Sequence, residues 1–151
     1  VYAAEDGSLQ TPIVIHRAIF GSVERFVGIL IEHFNGAFPA WLVPIQAAVI
    51  PVTDGQTEYA GAVADRLRKA GLRVEIDRSG VRMQAKIRAA QLQKVPWMLV
   101  VGKREVEAGA VSVRLRSGDH LGAMPVDAFL DLAQPVIETK SLDLQLPRDE
   151  G

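Results

Sequence analysis

Pro96-Trp97-Met98-Leu99-Val100-Val101-Gly102 is an unbroken apolar run with a proline in front and a glycine behind. A strand with one wet face alternates apolar and polar residues, so a run with no alternation predicts a central strand covered on both sides. Working upstream, Arg82 to Lys94 carries Met83, Ile87 and Ala90 at helical spacing, and Leu72 to Asp77 alternates with period two like a half-buried strand. Before these, Thr57 to Ala70 places Ala60, Val63, Ala64 and Leu67 on one helical face, with Gly71 suited to a left-handed helix end. Ala47 to Val52 is another apolar strand signal. Downstream, Val111, Val113 and Leu115 alternate with Ser112, Arg114 and Arg116, and Ser117-Gly118-Asp119 turns the chain. A last helix is predicted from about Val126 to Lys140, kinked or shortened by Pro135. The order βαβαβ-β-α implies an α/β fold: a mostly parallel sheet with helices on both faces and an antiparallel addition near its end.

The first 41 residues read differently. Thr11-Pro12 leads into Ile13-Val14-Ile15, a short strand signal, and Gly21-Ser22 opens a helix bearing Phe26, Ile29, Leu30 and Phe34, stopped by Asn35-Gly36. One strand and one helix enclose no core, so this part reads as a piece of a larger sheet. Residues 42–46 read as a linker, 47–140 as the α/β domain, and 141–151 as a tail, frayed from about 143.

Composition bounds the function. The chain has 151 residues, 48% hydrophobic, enough for one core. No apolar run approaches the roughly 20 residues that span a bilayer. The absence of cysteine removes disulfides and thiolate ligands and fits a cytosolic protein. Between Glu58 and Arg116, thirteen Lys/Arg face six Asp/Glu, a local +7 against −8 elsewhere in a chain of net charge −1. Such an asymmetry suits a selective RNA contact, and equally a solvated surface whose charges balance overall. There is no G-x-G-x-x-G or P-loop, since Gly102-Lys103 lacks both the earlier glycine and a following Ser/Thr, and no Ser-His-Asp or Cys-His set is suggested.

His16 at the end of the first strand signal is a possible metal ligand, and Arg25 in a first helical turn a possible phosphate clamp. The full string Ile15-His16-Arg17-Ala18-Ile19-Phe20-Gly21-Ser22-Val23-Glu24-Arg25-Phe26, followed by Phe38-Pro39-Ala40-Trp41-Leu42, resembles the last signature motif and the catalytic-domain exit of class II aminoacyl-tRNA synthetases, in the threonyl-tRNA synthetase form. Thr53-Asp54-Gly55-Gln56-Thr57-Glu58-Tyr59, Lys86-Ile87-Arg88, Lys94-Val95-Pro96-Trp97 and Val101-Gly102-Lys103-Arg104-Glu105-Val106 resemble the anticodon-binding domain shared by the threonyl, prolyl, glycyl and histidyl enzymes.

That resemblance implies a mostly parallel mixed sheet of about five strands flanked by helices, preceded by a strand-helix remnant of the catalytic domain. It implies His16 as one of three ligands to a zinc that recognises the threonine amino and hydroxyl groups, one zinc per full-length subunit. It implies Arg25 as the catalytic, ATP-binding arginine, with ATP and Mg as substrate. Ser22 falls in the adenylate pocket, while a helix N-cap explains it as well. Arg88, Lys94, Glu105 and Arg114 fall at anticodon contacts, whereas Gly80 replaces a polar contact residue and Lys94 an arginine. The implied partners are tRNA(Thr), threonine and ATP, in a cytoplasmic homodimer with no membrane contact. A second reading is a stand-alone RNA-binding or accessory module without catalysis. With only His33 and His120 besides His16, the chain is expected neither to bind zinc tightly nor to form the adenylate by itself.

Overall fold

The structure is a computed structural model and describes residues 1–145. Its elements, in chain order, are β1 (Tyr2–Ala3), β2 (Leu9–Gln10), α1 (Val23–Phe34), β3 (Ala47–Pro51), α2 (Thr57–Lys69), β4 (Val74–Ile76), α3 (Met83–Leu92), β5 (Trp97–Val101), α4 (Lys103–Ala108), β6 (Ala110–Leu115), β7 (His120–Pro125) and α5 (Val126–Glu138). Five strands form one sheet in the order β4-β3-β5-β6-β7. β4 and β5 pair parallel with β3, while β6 runs antiparallel to both β5 and β7. Four of the five strands therefore point the same way, and β6 alone opposes them.

The apolar run that defines β5 is buried at every position, beside an equally buried β3. Because side chains alternate between faces, Trp97, Leu99 and Val101 join Val111, Val113 and Leu115 beneath α2 and α5. Trp97 meets Phe129 edge-to-face at 5.7 Å, and its Nε1 donates to Leu144 O at 3.3 Å. The chain thus stays engaged to Leu144, past the predicted start of fraying; the rest of that tail lies outside the described residues. On the opposite face Met98 and Val100 pack with Ala48, Ile50 and, from α3, Ile87 and Ala90. The apolar cluster on that side takes residues from β3 and β5 and none from β6 or β7, so the second face is covered only in part.

Two elements differ from expectation. Ile13, Val14 and Ile15 form no strand and are 93%, 79% and 87% exposed. A strand needs a neighbour to satisfy its backbone, and the only pairing in this region is the small β1–β2 hairpin, Tyr2 opposite Gln10. α1 forms where its sequence signals lie, from the Ser22 cap to a left-handed Asn35 (φ 49), yet buries none of its residues. α5 continues through Pro135 and ends at Glu138. α4 and β7 had no clear signal of their own in the sequence.

Candidate nucleic-acid interface

β6 turns Ser112 and Arg114, both half-buried, to the incompletely covered face. In register, Ser112 lies opposite Val100 of β5 and Ala123 of β7, and Arg114 opposite Met98 and His120, beside a bulge at Val113/Arg114. Since Met98 and Val100 pack in one cluster with Ile87 and Ala90 of α3, Ser112 and Arg114 lie on the strand beside the one that this helix covers. Arg88 sits on the exposed side of α3, one position after buried Ile87. Lys94 follows the end of α3 with a left-handed backbone, φ 59, and is exposed. Glu105 stands near the opposite end of β5, in the first turn of α4. The four residues therefore run from one end of β5 to the other.

None of the cations is neutralised. Among the described residues the ion pairs are Arg66 with Asp127, Arg68 with Asp65 and Lys103 with Glu107, and none involves Arg88, Lys94 or Arg114. Arg114 Nε is inaccessible and without a hydrogen-bond partner among those residues. Buried donors are nearly always satisfied, so Arg114 Nε stands outside the protein's own hydrogen bonds among those residues, and it is the accessible part of this half-buried side chain that an outside acceptor would meet.

Lys86 departs from its predicted position. On a helical wheel it shares a stripe with Arg82 and Gln93, and as a lysine it is expected to present its charge there, but it is only 3% exposed. Its Nζ donates to Pro51 O at 3.1 Å and to Asp77 O at 3.4 Å. The long stem carries the amine along the apolar underside of α3 to where β3 ends and the segment after β4 begins. Lys86 lines two adjoining cavities, of about 330 Å³ against β4 and about 280 Å³ beside Thr53, Ser79, Gly80 and Arg82. The latter lies at the carboxyl ends of the parallel strands, where open α/β sheets receive ligands. Its rim is ordered locally: Gln56 Oε1 accepts from Thr53 N and Oγ1, and Asp77 Oδ1 accepts from Ser79 N.

At the end of β5, Glu105 Oε2 accepts from Gly102 N at 3.0 Å, capping α4 with its own first turn. Tyr59 lies near: burial raises its phenol above the usual range, Arg66 opposing this and Glu105 adding to it, while its hydroxyl donates to Ala110 O. Gly102 is needed by this arrangement, because a Cβ there would stand 2.9 Å from Glu105 Oε2 and 3.4 Å from Val52 Cγ2. Gly102→Ala is expected to expel the carboxylate and cost about 1 kcal/mol in urea unfolding. A variant as stable as the parent would show that the contact contributes nothing.

The amino-terminal candidates are separate from this face. His16 and Arg25 are exposed. Ser22 caps α1, its Oγ accepting from Arg25 N at 3.3 Å and donating to Glu24 at 2.7 Å. No three His, Cys, Asp or Glu among the described residues cluster as a metal site. His16 alone does not fit a zinc centre, which takes about three protein ligands.

A partly uncovered α/β sheet with Arg114 on its open strand and Arg88 and Lys94 on and after α3, none of them in an ion pair among the described residues, has the make-up of a polyanion-binding module. The chain belongs to the anticodon binding domain family, which matches residues 46–134. A threonine–tRNA ligase of Thermus thermophilus is 58% identical over 130 residues, covering 86% of this chain and 20% of that protein. Another, from Acidobacterium capsulatum, is 50% identical over 143 residues, 95% and 21%. The chain thus spans about a fifth of the length of the curated relatives it matches. Among solved structures, the RNA binding domain of threonyl-tRNA synthetase from Cryptosporidium parvum aligns with a TM-score of 0.68 and 34% identity, over 85% of this chain and 31% of that one. A prolyl-tRNA synthetase of the same organism aligns at 0.60 and 26% identity, over 67% and 22%. No helix among the described residues is long and apolar enough to cross a membrane.

Proposed function

We propose that this chain is the C-terminal part of a threonine–tRNA ligase, and that residues 47–140 recognise the anticodon of tRNA(Thr) through Arg88, Lys94, Glu105 and Arg114. The observation that carries the reading is Arg114, half-buried on the side of β6 that the α3 cluster leaves uncovered and in no ion pair among the described residues. Anticodon bases present unstacked edges that arginine pairs with or stacks on, and a carboxylate such as Glu105 accepts from guanine's donor edge. Glu105 uses Oε2 in its cap, and among the described residues no hydrogen bond engages Oε1.

In the parent enzyme, threonine is activated with ATP and transferred to the tRNA. Residues 1–41 then contribute the end of the catalytic domain: Arg25, at the start of α1, steadies ATP phosphate, while Ser22 fixes that turn. His16 serves as one ligand of a zinc whose other ligands lie in the rest of the protein. A cytoplasmic homodimer is the form proposed for the whole enzyme. The extensive exposure of Val23, Val27, Ile29 and Ile31 supports a further body packing on α1.

The test is fluorescence anisotropy with the anticodon stem-loop of threonine tRNA against the same hairpin carrying an altered triplet. The cognate hairpin is expected to bind about tenfold tighter or better. Contacts to about three phosphates should weaken binding roughly twenty- to fortyfold between 50 and 200 mM salt. Equal affinity for both triplets would defeat the proposal.

A further inference from the structure

α1 fully buries no residue, and only Leu30 and Phe34 are half-buried, Phe34 meeting Phe38 at 5.8 Å, so packing on the sheet contributes little to its direction. What sets it is the segment that follows. The helix is closed by Asn35 and Gly36, both left-handed, with Gly36 N donating to Ile31 O at 3.0 Å and Ala37 N to Phe34 O at 2.8 Å. From there, four carbonyls within six residues are taken by the side chains of Arg73 and Arg116 of the α/β domain and of Gln46 just before it. Arg116 Nη1 donates to Phe38 O at 2.6 Å, and Gln46 Nε2 to Ala40 O at 2.9 Å. Arg73 takes Trp41 O at 3.0 Å through Nη2, and Val43 O at 2.7 and 2.9 Å through Nη2 and Nε.

Gln46 is buried and Arg116 half-buried, while Arg73 is exposed and is tied through its backbone to Gln46. Gln46 is 1% exposed, and its Oε1 accepts from Arg73 N at 2.9 Å while its own N–H reaches Arg73 O. Burial pulls the Arg116 guanidinium below its usual range, and its Nη1 also lies 3.5 Å from Lys94 O. One side chain thus links the end of the proposed anticodon face to the backbone just after α1.

We infer that Arg73, Gln46 and Arg116 are positioning residues that make residues 37–46 a rigid strap rather than a hinge, holding α1 in one orientation to the RNA face. Charge-assisted bonds from a planar guanidinium to neighbouring carbonyls resist rotation more than the same number of single contacts. In the parent enzyme such a strap would keep Ser22 and Arg25 in constant register with the anticodon end. The strap acts whether or not the sheet face binds RNA, because strap and helix belong to one chain.

The test uses the 151-residue chain and its variants Arg73→Gln and Arg116→Gln, singly and together. Residual dipolar couplings of α1 and of the sheet should fit a single alignment tensor in the parent. In the double variant the α1 couplings should shrink relative to those of the sheet, and the Leu42 and Val43 amides should exchange roughly tenfold faster. Sheet chemical shifts and affinity for the anticodon hairpin should stay as in the parent. Persistence of one tensor in the double variant overturns the strap. Loss of the sheet's own shifts in either single variant overturns it too, since those side chains would then hold the core and not the segment.

Discussion

Replacing Lys86 by methionine is expected to lower the unfolding free energy by about 3 kcal/mol and the melting temperature by about 10 °C. Methionine keeps the apolar stem and approximate volume, so the α3 underside stays filled and no large cavity opens. What is lost is the amine, leaving Pro51 O and Asp77 O without their donor. A buried acceptor stripped of its partner costs about 1–3 kcal/mol, and Pro51 is buried. Apolar replacement of buried polar groups is often neutral or stabilising. That holds when both partners are replaced, whereas here the acceptors are main-chain carbonyls that no substitution removes. Arg82→Met, at an exposed position on the preceding turn, should stay within about 0.5 kcal/mol. Equal urea midpoints for Lys86→Met and Arg82→Met would refute the structural role assigned to the amine.

Lys86 also shows where sequence reasoning stops. Met83, Lys86, Ile87 and Ala90 stand at i, i+3, i+4 and i+7, so periodicity alone points position 86 inward. Residue type argued the other way, because lysine is rarely buried. The acceptors that make its burial tolerable come from two other elements, and no local pattern shows them. Ile13-Val14-Ile15 failed for the converse reason: an apolar run reports that burial is wanted, but a strand forms only beside another. β5 and α2 were legible because one unbroken run and one repeated 3.6-residue spacing each fix the environment without help from afar. α4, six residues between Gly102 and Gly109, is too short for its period to register; its signals were Glu105 in the first turn and a left-handed Gly109 (φ 62) after it. The alternation in β6 placed Ser112 and Arg114 opposite the core-facing valines. It could not tell that α3 leaves that side of β6 open, which depends on how far one helix reaches across a sheet.

Arg114→Ala is expected to weaken binding of the cognate anticodon hairpin by about 2 kcal/mol, roughly thirtyfold, and to weaken an altered-triplet hairpin only about threefold. A contact to a phosphate lowers affinity for every sequence alike, while a contact to a base edge lowers it chiefly for the base that fits. Arg114→Lys separates charge from geometry: lysine keeps the cation but lacks the planar fork, so most of the loss should remain if the fork reads a base. Stability provides the internal control. Because Arg114 makes no ion pair and its Nε no hydrogen bond among the described residues, truncating it strands no protein partner through those groups, and unfolding should change by under about 1 kcal/mol. A residue kept for architecture would give the reverse, a large stability loss with proportionate loss on both hairpins. Thirtyfold on one hairpin and threefold on the other, from a protein that melts as before, is an outcome that a read base edge produces and a solvated surface charge does not.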